Sequence, residues 1–338
     1  MEKTEDNFNS SSCVNFSVMH PEMSKRELCA VTAFYVVLMI GIVIGNGLIF
    51  AAFFVNHKLR TTTNKLILGL ALSDILVGII SVPLWIFISV KSAQGEYYSD
   101  GLYQFYITFD IFVGSASILQ LTSISIERCH AIVRPLRHRT LPKKTFRTLL
   151  LTPWVISSLV ASLQPLQYRR WQEVYTLLMV TTCFLVPFSV IMLAYIFIFM
   201  FARVKRPSQR LLRNTTRSRA YRKEIRLSVT IAFITLLFVI AWLPLFVLTI
   251  VATYYPSSLP SMITTDRLLK FAKWMHYSNS SINPFLYAFR NNAIRRTFQY
   301  LISKLLCGRF SPRIGQRRIK LQSMPFRSSA NRSDFSHR

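Results

Sequence analysis

The chain has 338 residues, 51% of them hydrophobic and only 16% charged, yet its formal net charge is +27. Its apolar residues gather in blocks far longer than soluble helices need, which argues against an ordinary pair of soluble domains. The basic residues sit in the stretches between and after those blocks, which argues against nucleic acid as the main partner.

Residues 1–29 are polar and carry two Asn-x-Ser glycosylation sequons, at Asn9 and Asn15, together with Cys13 and Cys29, which could pair. Seven apolar runs follow, at 30–54, 66–90, 103–126, 148–167, 173–202, 227–253 and 268–289. Each is long enough to cross about 30 Å of hydrocarbon as a helix. The first run is too long for the core of a cleavable leader and is expected to act as a signal anchor. The third and seventh runs are the most polar, so they are expected to line an interior rather than face lipid. The stretches 55–65, 127–147 and 203–226 and the tail from 290 hold 3, 7, 10 and 12 of the 41 Lys and Arg residues. Loops rich in Lys and Arg stay in the cytoplasm, which predicts a multi-pass membrane protein with its N-terminus outside and its tail inside, against anionic lipid. The segment NNAIRRTFQYLISKLLC, 291–307, has apolar residues at helical spacing with basic residues between them, and predicts an amphipathic helix on the inner membrane surface. Cys307 at its end is either a palmitoylation site or a free thiol. The Ser-, Arg- and Pro-rich tail, 308–338, reads as disordered.

Ionisable residues at membrane depth are costly and mark functional positions. Here they are Asp74, Asp110, Lys273 and His276, with Asn279, Ser280 and Asn283 nearby. Prolines at 83, 165, 187, 244 and 284 interrupt the helical backbone and suggest kinked helices that change shape. Asp110 precedes Arg128 by 18 residues, about 27 Å along one helix. If Arg128 marks the cytoplasmic boundary, Asp110 lies near the outer mouth. There it either receives a ligand's ammonium or is satisfied by neighbouring hydroxyls or Lys273. At the other end Arg128 has an adjacent acid, Glu127, and a second possible one, Glu224, at the base of the sixth run. A pair between Arg128 and Glu224 would form when those helix ends are close and break when they part.

Several segments, in order, match one family: GN at 45–46, LALSD at 70–74, SISIERCHAIVRP at 123–135, Trp154, Pro187 with Tyr195, FVIAWLP at 238–244 and NPFLYAF at 283–289. Together they resemble the rhodopsin-like (class A) G-protein-coupled receptors over nearly all of 30–307. The resemblance implies an all-α, seven-transmembrane helix bundle over 30–290 with a short amphipathic eighth helix, and a heterotrimeric G protein, arrestin and receptor kinases as partners. It assigns an allosteric sodium ion to Asp74, Ser117, Asn279, Ser280 and Asn283. It assigns an aromatic switch to Trp242 and Phe238, and rearrangement on activation to Pro187, Tyr195 and Tyr287. Arg128 is the implied G-protein contact, although the third residue of its triplet is Cys129 rather than tyrosine.

The same resemblance bears on the ligand. Asp110 stands where aminergic receptors bind the ligand's ammonium, Trp274 and Tyr277 where they close over it, and Phe246 where they stack its ring. Gly114, Met179 and Cys183 complete the implied pocket, without the helix-five serines of catecholamine receptors. The expected ligand is therefore a small cationic biogenic or trace amine. The alternative is a peptide or lipid, because Tyr103 replaces the cysteine expected at the start of the third helix and the loop QYRRWQ is short, as in melanocortin receptors. A transporter would show internal repeats, and a retinal protein would need its lysine where Tyr277 stands. No nucleophile–base or metal-ligand motif suggests an enzyme.

Overall fold

A computed structural model describes residues 24–166, 171–211, 216–290 and 292–307. The sequons at Asn9 and Asn15, Cys13 and the tail 308–338 lie outside the described residues. Six of the seven apolar runs fall within a helix, and the fourth, 148–167, runs past the end of its helix at Ser162. Helix α1 spans Lys25–Val55 and begins with a capping box: Ser24 Oγ accepts from the Arg26 amide at 3.4 Å, and the Glu27 carboxylate accepts from the Ser24 amide at 3.2 Å. Helix α2 spans Thr62–Ala93 and α3 spans Asp100–Val133, and their cap hydroxyls, Thr61 and Ser99, each accept an amide of the first turn. Helix α4 is Lys143–Ser162 and ends in a tight turn at Gln164–Leu166 that contains Pro165. Helix α5 joins Gln172–Val180 to Val186–Leu211, α6 is Thr216–Tyr254, α7 is Met262–Arg290 and α8 is Asn292–Cys307. The end of the bundle where α1 begins is called the upper end below.

Two of the prolines widen the helix just before them. In α2 a π turn covers Val77–Ser81, where the Val82 amide reaches back to the Val77 carbonyl, and Pro83 follows at once. In α5 a π turn covers Thr181–Leu185, where the Val186 amide reaches the Thr181 carbonyl, and Pro187 follows. Proline supplies no amide donor, so the extra residue in the turn absorbs the break in the ladder. Each π turn also rotates the rest of its helix relative to a regular 3.6-residue repeat.

Among the described residues six helices, α1 to α6, contain stretches long and apolar enough to cross a membrane. α7 is the polar exception, as expected from Lys273, His276, Asn279 and Asn283. α3 is the most buried of the six, with 67% of its apolar stretch inside the protein, and it packs against α2, α4, α5 and α6. α7 closes the ring between α6 and α1. Close approach of α1 and α7 depends on Gly45: a Cβ there would lie 2.8 Å from Pro284 Cγ. The neighbouring Asn46 then bridges the two helices, donating to the Ile42 carbonyl and the Ser280 carbonyl at 3.0 Å each.

Near the upper end, where the sequence lacks a cysteine at 103, other contacts tie the elements together. Tyr103 packs between Tyr98 and Tyr106, at 6.0 and 6.5 Å between ring centroids. Gln164, fully buried after α4, accepts from Gln104 and from the Thr108 hydroxyl, the latter at 2.8 Å. At the lower end α8 buries Ile294, Thr297 and Phe298 while Arg295 and Arg296 stay exposed, giving the two-faced helix expected of 291–307. Asn56 at the end of α1 donates to Thr297 Oγ1 at 3.0 Å and fixes that face. Cys307 is the last residue of α8.

Candidate functional site

Three polar clusters lie along α3. The upper one is centred on Asp110, which is 5% exposed. Lys273 of α7 donates to Asp110 Oδ2 at 2.5 Å, and the Tyr277 hydroxyl donates to Oδ1 at 3.3 Å. The Tyr277 and Tyr106 hydroxyls are hydrogen-bonded at 3.0 Å. Three rings surround the lysine ammonium: Tyr106, Trp85 and Tyr277, with centroids 5.0, 5.6 and 6.0 Å from Nζ. Such distances allow cation–π attraction to add to the ion pair. The carboxylate expected to await a ligand's ammonium therefore already holds an ammonium of the chain. Of the intramolecular partners open to Asp110 in the sequence, both Lys273 and a neighbouring hydroxyl, that of Tyr277, are found on it.

One expected member is not brought to this cluster. Trp274 packs edge-on against Phe34 of α1 at 5.7 Å and beside Phe271 at 5.4 Å, and it is 36% exposed. It lines an outward-facing groove between α1 and α7 with Tyr35, Arg267 and Lys270. Helical geometry explains the separation: Lys273 and Tyr277 share a face, and the residue after Lys273 is turned about 100° away from it.

An aromatic floor lies below the pair. Trp242 is held between His276, 3.9 Å away between ring centroids, and Gly114, where a Cβ would lie 2.5 Å from Trp242 Cη2. Only glycine leaves room for the indole there. Phe238 stacks below Trp242 at 5.7 Å, and Phe246 lies beyond it at 5.6 Å and 4.6 Å from Phe184. Cys183, buried, and Met179, partly buried, belong to the same apolar cluster. The indole Nε1 of Trp242 and Nδ1 of His276 are buried without hydrogen-bond partners.

The middle cluster contains Asp74, 1% exposed, with Oδ2 accepting from Asn283 Nδ2 at 2.9 Å and Ser280 beside it. Ser117 donates to Ser73 Oγ at 2.9 Å, and Asn279 is buried nearby on α7. Asp74 Oδ1, Asn46 Oδ1 and Asn283 Oδ1 are buried acceptors without partners. Orphaned acceptors in a dry interior are costly, and oxygens with one formal negative charge among them suit a small hard cation. The residues thus fit the sodium site implied by the resemblance.

The lower cluster holds Arg128. Its Nε and Nη2 each donate to the Glu127 carboxylate at 2.6 Å, and Nη2 also reaches Thr63 Oγ1 of α2. The Thr63 hydroxyl donates to the same carboxylate at 3.1 Å, and His138 Nε2 lies 3.0 Å from it. Arg128 is therefore anchored within α3 and to α2. The side chain of Glu224, the acid expected to reach it from α6, lies outside the described residues. Ser125 Oγ contacts the Tyr195 hydroxyl at 3.4 Å, Pro187 is buried, and the Tyr287 hydroxyl is buried without a partner.

Sequence reasoning missed Trp85, Tyr106, Thr63 and His138. Thr63 and His138 gave no signal beyond proximity to the basic segments.

A family model described as a seven-transmembrane receptor of the rhodopsin family matches residues 45–287. Adenosine receptor A2b of Gallus gallus is 27% identical over 297 residues, covering 78% of this chain and 85% of that one. The human histamine H2 receptor is 28% identical over 305 residues, covering 83% of this chain and 81% of its own length. Human neuropeptide FF receptor 1 is 27% identical over 314 residues, covering 81% and 70% respectively. With matching segments from GN to NPFLYAF and a polar-cored helix bundle around α3, the chain belongs to the rhodopsin family of seven-transmembrane, G-protein-coupled receptors, and it is a multi-pass membrane receptor, not an enzyme.

Proposed function

We propose that this receptor recognises a small cationic amine at Asp110 and passes the event to a heterotrimeric G protein at Arg128. The observation that carries the reading is the upper cluster, where a buried carboxylate, the Tyr277 hydroxyl and three rings surround an ammonium, that of Lys273. A site that holds one primary ammonium has the chemistry to hold another. The ligand's apolar part would rest on Phe246 and Trp242, with Cys183, Met179 and Gly114 shaping the floor. We place this cluster on the outer side of the plasma membrane, with the sequons at Asn9 and Asn15 outside and the basic loops, α8, Cys307 as a palmitate acceptor, and the contacts with arrestin and receptor kinases inside.

Activation is proposed as a population shift. Ligand bound near Tyr277 and Trp242 favours a rearranged indole, and Phe238, Tyr195, Tyr287 and the Pro187 turn follow. The lower end of α6, with Glu224, moves away from α3, and Arg128 leaves Glu127 for the G protein. Asp74, Asn279, Ser280, Asn283 and, after a rotamer change, Ser117 would hold sodium in the resting arrangement, where the ion would supply the positive charge that the buried oxygens lack. Agonist and G protein then strengthen each other's binding by linkage.

The test is a panel of monoamines and trace amines applied to cells expressing the receptor, with G-protein activation read directly and Asp110→Asn in parallel. Loss of a wild-type amine response in the mutant supports the reading. A full response from a surface-expressed Asp110→Asn receptor would refute it. The occupancy of Asp110 by Lys273 favours a second reading, a peptide or lipid ligand whose acidic group would draw the lysine away.

A further inference from the structure

We propose that the ligand is a zwitterion, carrying a carboxylate beside its ammonium as an α-amino acid does, with an apolar or aromatic side chain. This deepens the amine reading and rests on it. The starting point is the charge balance of the upper cluster. Asp110 and Lys273 are 2.5 Å apart, with side chains only 6% and 11% exposed, so the site contains one negative and one positive charge that neutralise each other. Tyr106, Tyr277 and Trp85 add ring faces and hydroxyls without adding a charge. His276, tilted against the rings of Trp242 and Tyr277, adds an imidazole with an unpartnered Nδ1.

A simple amine entering this site faces two outcomes, both costly. It can share Asp110 with Lys273, giving two cations for one anion in a water-poor interior. Otherwise it displaces Lys273, which then remains at membrane depth without a counter-charge. A ligand with only an acid meets the mirror problem, because Asp110 is left unpaired. A zwitterion avoids both. Its ammonium takes Asp110, its carboxylate takes the displaced Lys273 ammonium, and the cluster remains neutral with four alternating charges. The four-methylene lysine stem can retreat to admit the ligand while its head stays near the rings of Tyr106 and Trp85. The ligand's side chain would point down to the aromatic floor formed by Trp242, Phe246 and Phe184, where a phenyl, phenol or indole finds ring contacts and no added charge is needed.

The test uses matched pairs that differ only by the carboxylate: phenylalanine and phenethylamine, tyrosine and tyramine, tryptophan and tryptamine. Each is applied in amino-acid-free buffer to cells expressing wild type, Lys273→Met, Lys273→Arg or Asp110→Asn. Surface expression is measured and a set of G-protein dissociation sensors is read. At least one amino acid should activate wild type, with its decarboxylated partner about 30-fold weaker or worse. Lys273→Met should reverse that order, since the lone Asp110 then accepts a plain amine and the carboxylate loses its partner. Lys273→Arg should keep the wild-type order, showing that charge rather than folding is responsible. Asp110→Asn should lose both members of the pair. A wild type that prefers the amines, with the same order in Lys273→Met, overturns the zwitterion and leaves the amine reading standing. Amine responses that survive in Asp110→Asn overturn both. Silence of surface-expressed wild type and Lys273→Met towards every probe overturns the zwitterion for this class of amino acid.

Discussion

The ion pair between Asp110 and Lys273 makes a prediction that needs no ligand. At 2.5 Å and an effective dielectric constant of about 20, two unit charges attract by roughly 7 kcal/mol. Withdrawing both from water costs several kcal/mol per ion, so the intact pair contributes little net stability. Removing one partner is different, because the remaining charge keeps its desolvation cost and loses its compensation, a loss of about 3–5 kcal/mol. Lys273→Met and Asp110→Asn should therefore each lower the thermal midpoint of the purified receptor. The double variant should lie closer to wild type than either single one. Methionine preserves much of the lysine stem's volume and suits the surrounding rings, which limits the contribution of lost packing. A thiol-reactive fluorophore can report unfolding, since Cys183 is buried and Cys129 half-buried, while exposed Cys29 reacts in the folded state as well. Additive destabilisation, with the double variant as unstable as the sum of the singles, would refute the charge-compensation reasoning behind both this prediction and the proposed zwitterion.

Gly114→Ala should force Trp242 from its slot, because the new Cβ would lie 2.5 Å from the indole and His276 blocks retreat on the other side. A loss of about 1–3 kcal/mol is expected, read as a lower thermal midpoint, and an unchanged midpoint would mean the ring moves freely. Sodium replacing choline in the buffer should raise the midpoint of wild type, and Asp74→Asn should abolish that rise; a rise that survives would place the ion elsewhere. Glu127→Gln should weaken the hold on Arg128 and increase basal G-protein activation, whereas Thr63→Val, which removes a hydroxyl from Glu127 and Arg128 but leaves both Arg128–Glu127 bonds intact, should increase it less. Equal effects would show that α2, not the adjacent carboxylate, restrains the arginine.

Much of this architecture is legible in the sequence because membrane helices impose strong local rules. Seven apolar runs, their basic connections and the alternating faces of 291–307 each express a nearest-neighbour pattern, and helices are found over the runs, the fourth up to Ser162, and over 292–307. Site residues on α3 were equally accessible, since Asp110, Glu127 and Arg128 stand out against apolar neighbours. What the sequence left open depends on rotation and on distant partners. Whether Asp110 meets Lys273 is decided by the phase of a helix 163 residues away. Assigning the inward face of α7 through Lys273, Tyr277, Ser280 and Pro284 would have set Trp274 aside. The burial of Gln164 against Gln104 and Thr108 likewise has no local signature.

The spacing on α3 explains how one helix can serve both ends of the receptor. Asp110, Gly114, Ser117, Leu121, Ser125 and Arg128 follow at intervals of four, three, four, four and three residues, and so form one stripe along the helix. The stripe meets a different element at almost every step: Lys273 and Tyr277 of α7 at Asp110, Trp242 of α6 at Gly114, Ser73 of α2 at Ser117, Tyr195 of α5 at Ser125 and Thr63 of α2 at Arg128. Apart from the ion pairs at its ends, these contacts are a ring against a bare glycine and single hydrogen bonds between hydroxyls. Each is individually weak, so each can exchange partners at small cost. The strong interactions are confined to the two termini of the stripe, where Asp110 and Glu127 neutralise Lys273 and Arg128. Under the proposed mechanism, a ligand that reorders the upper pair would need to supply only the differential energy to move soft contacts between the two ends. In the proposed activation the lower pair, with its carboxylate held by Thr63 and His138 as well as by Arg128, would set the threshold for opening the G-protein face.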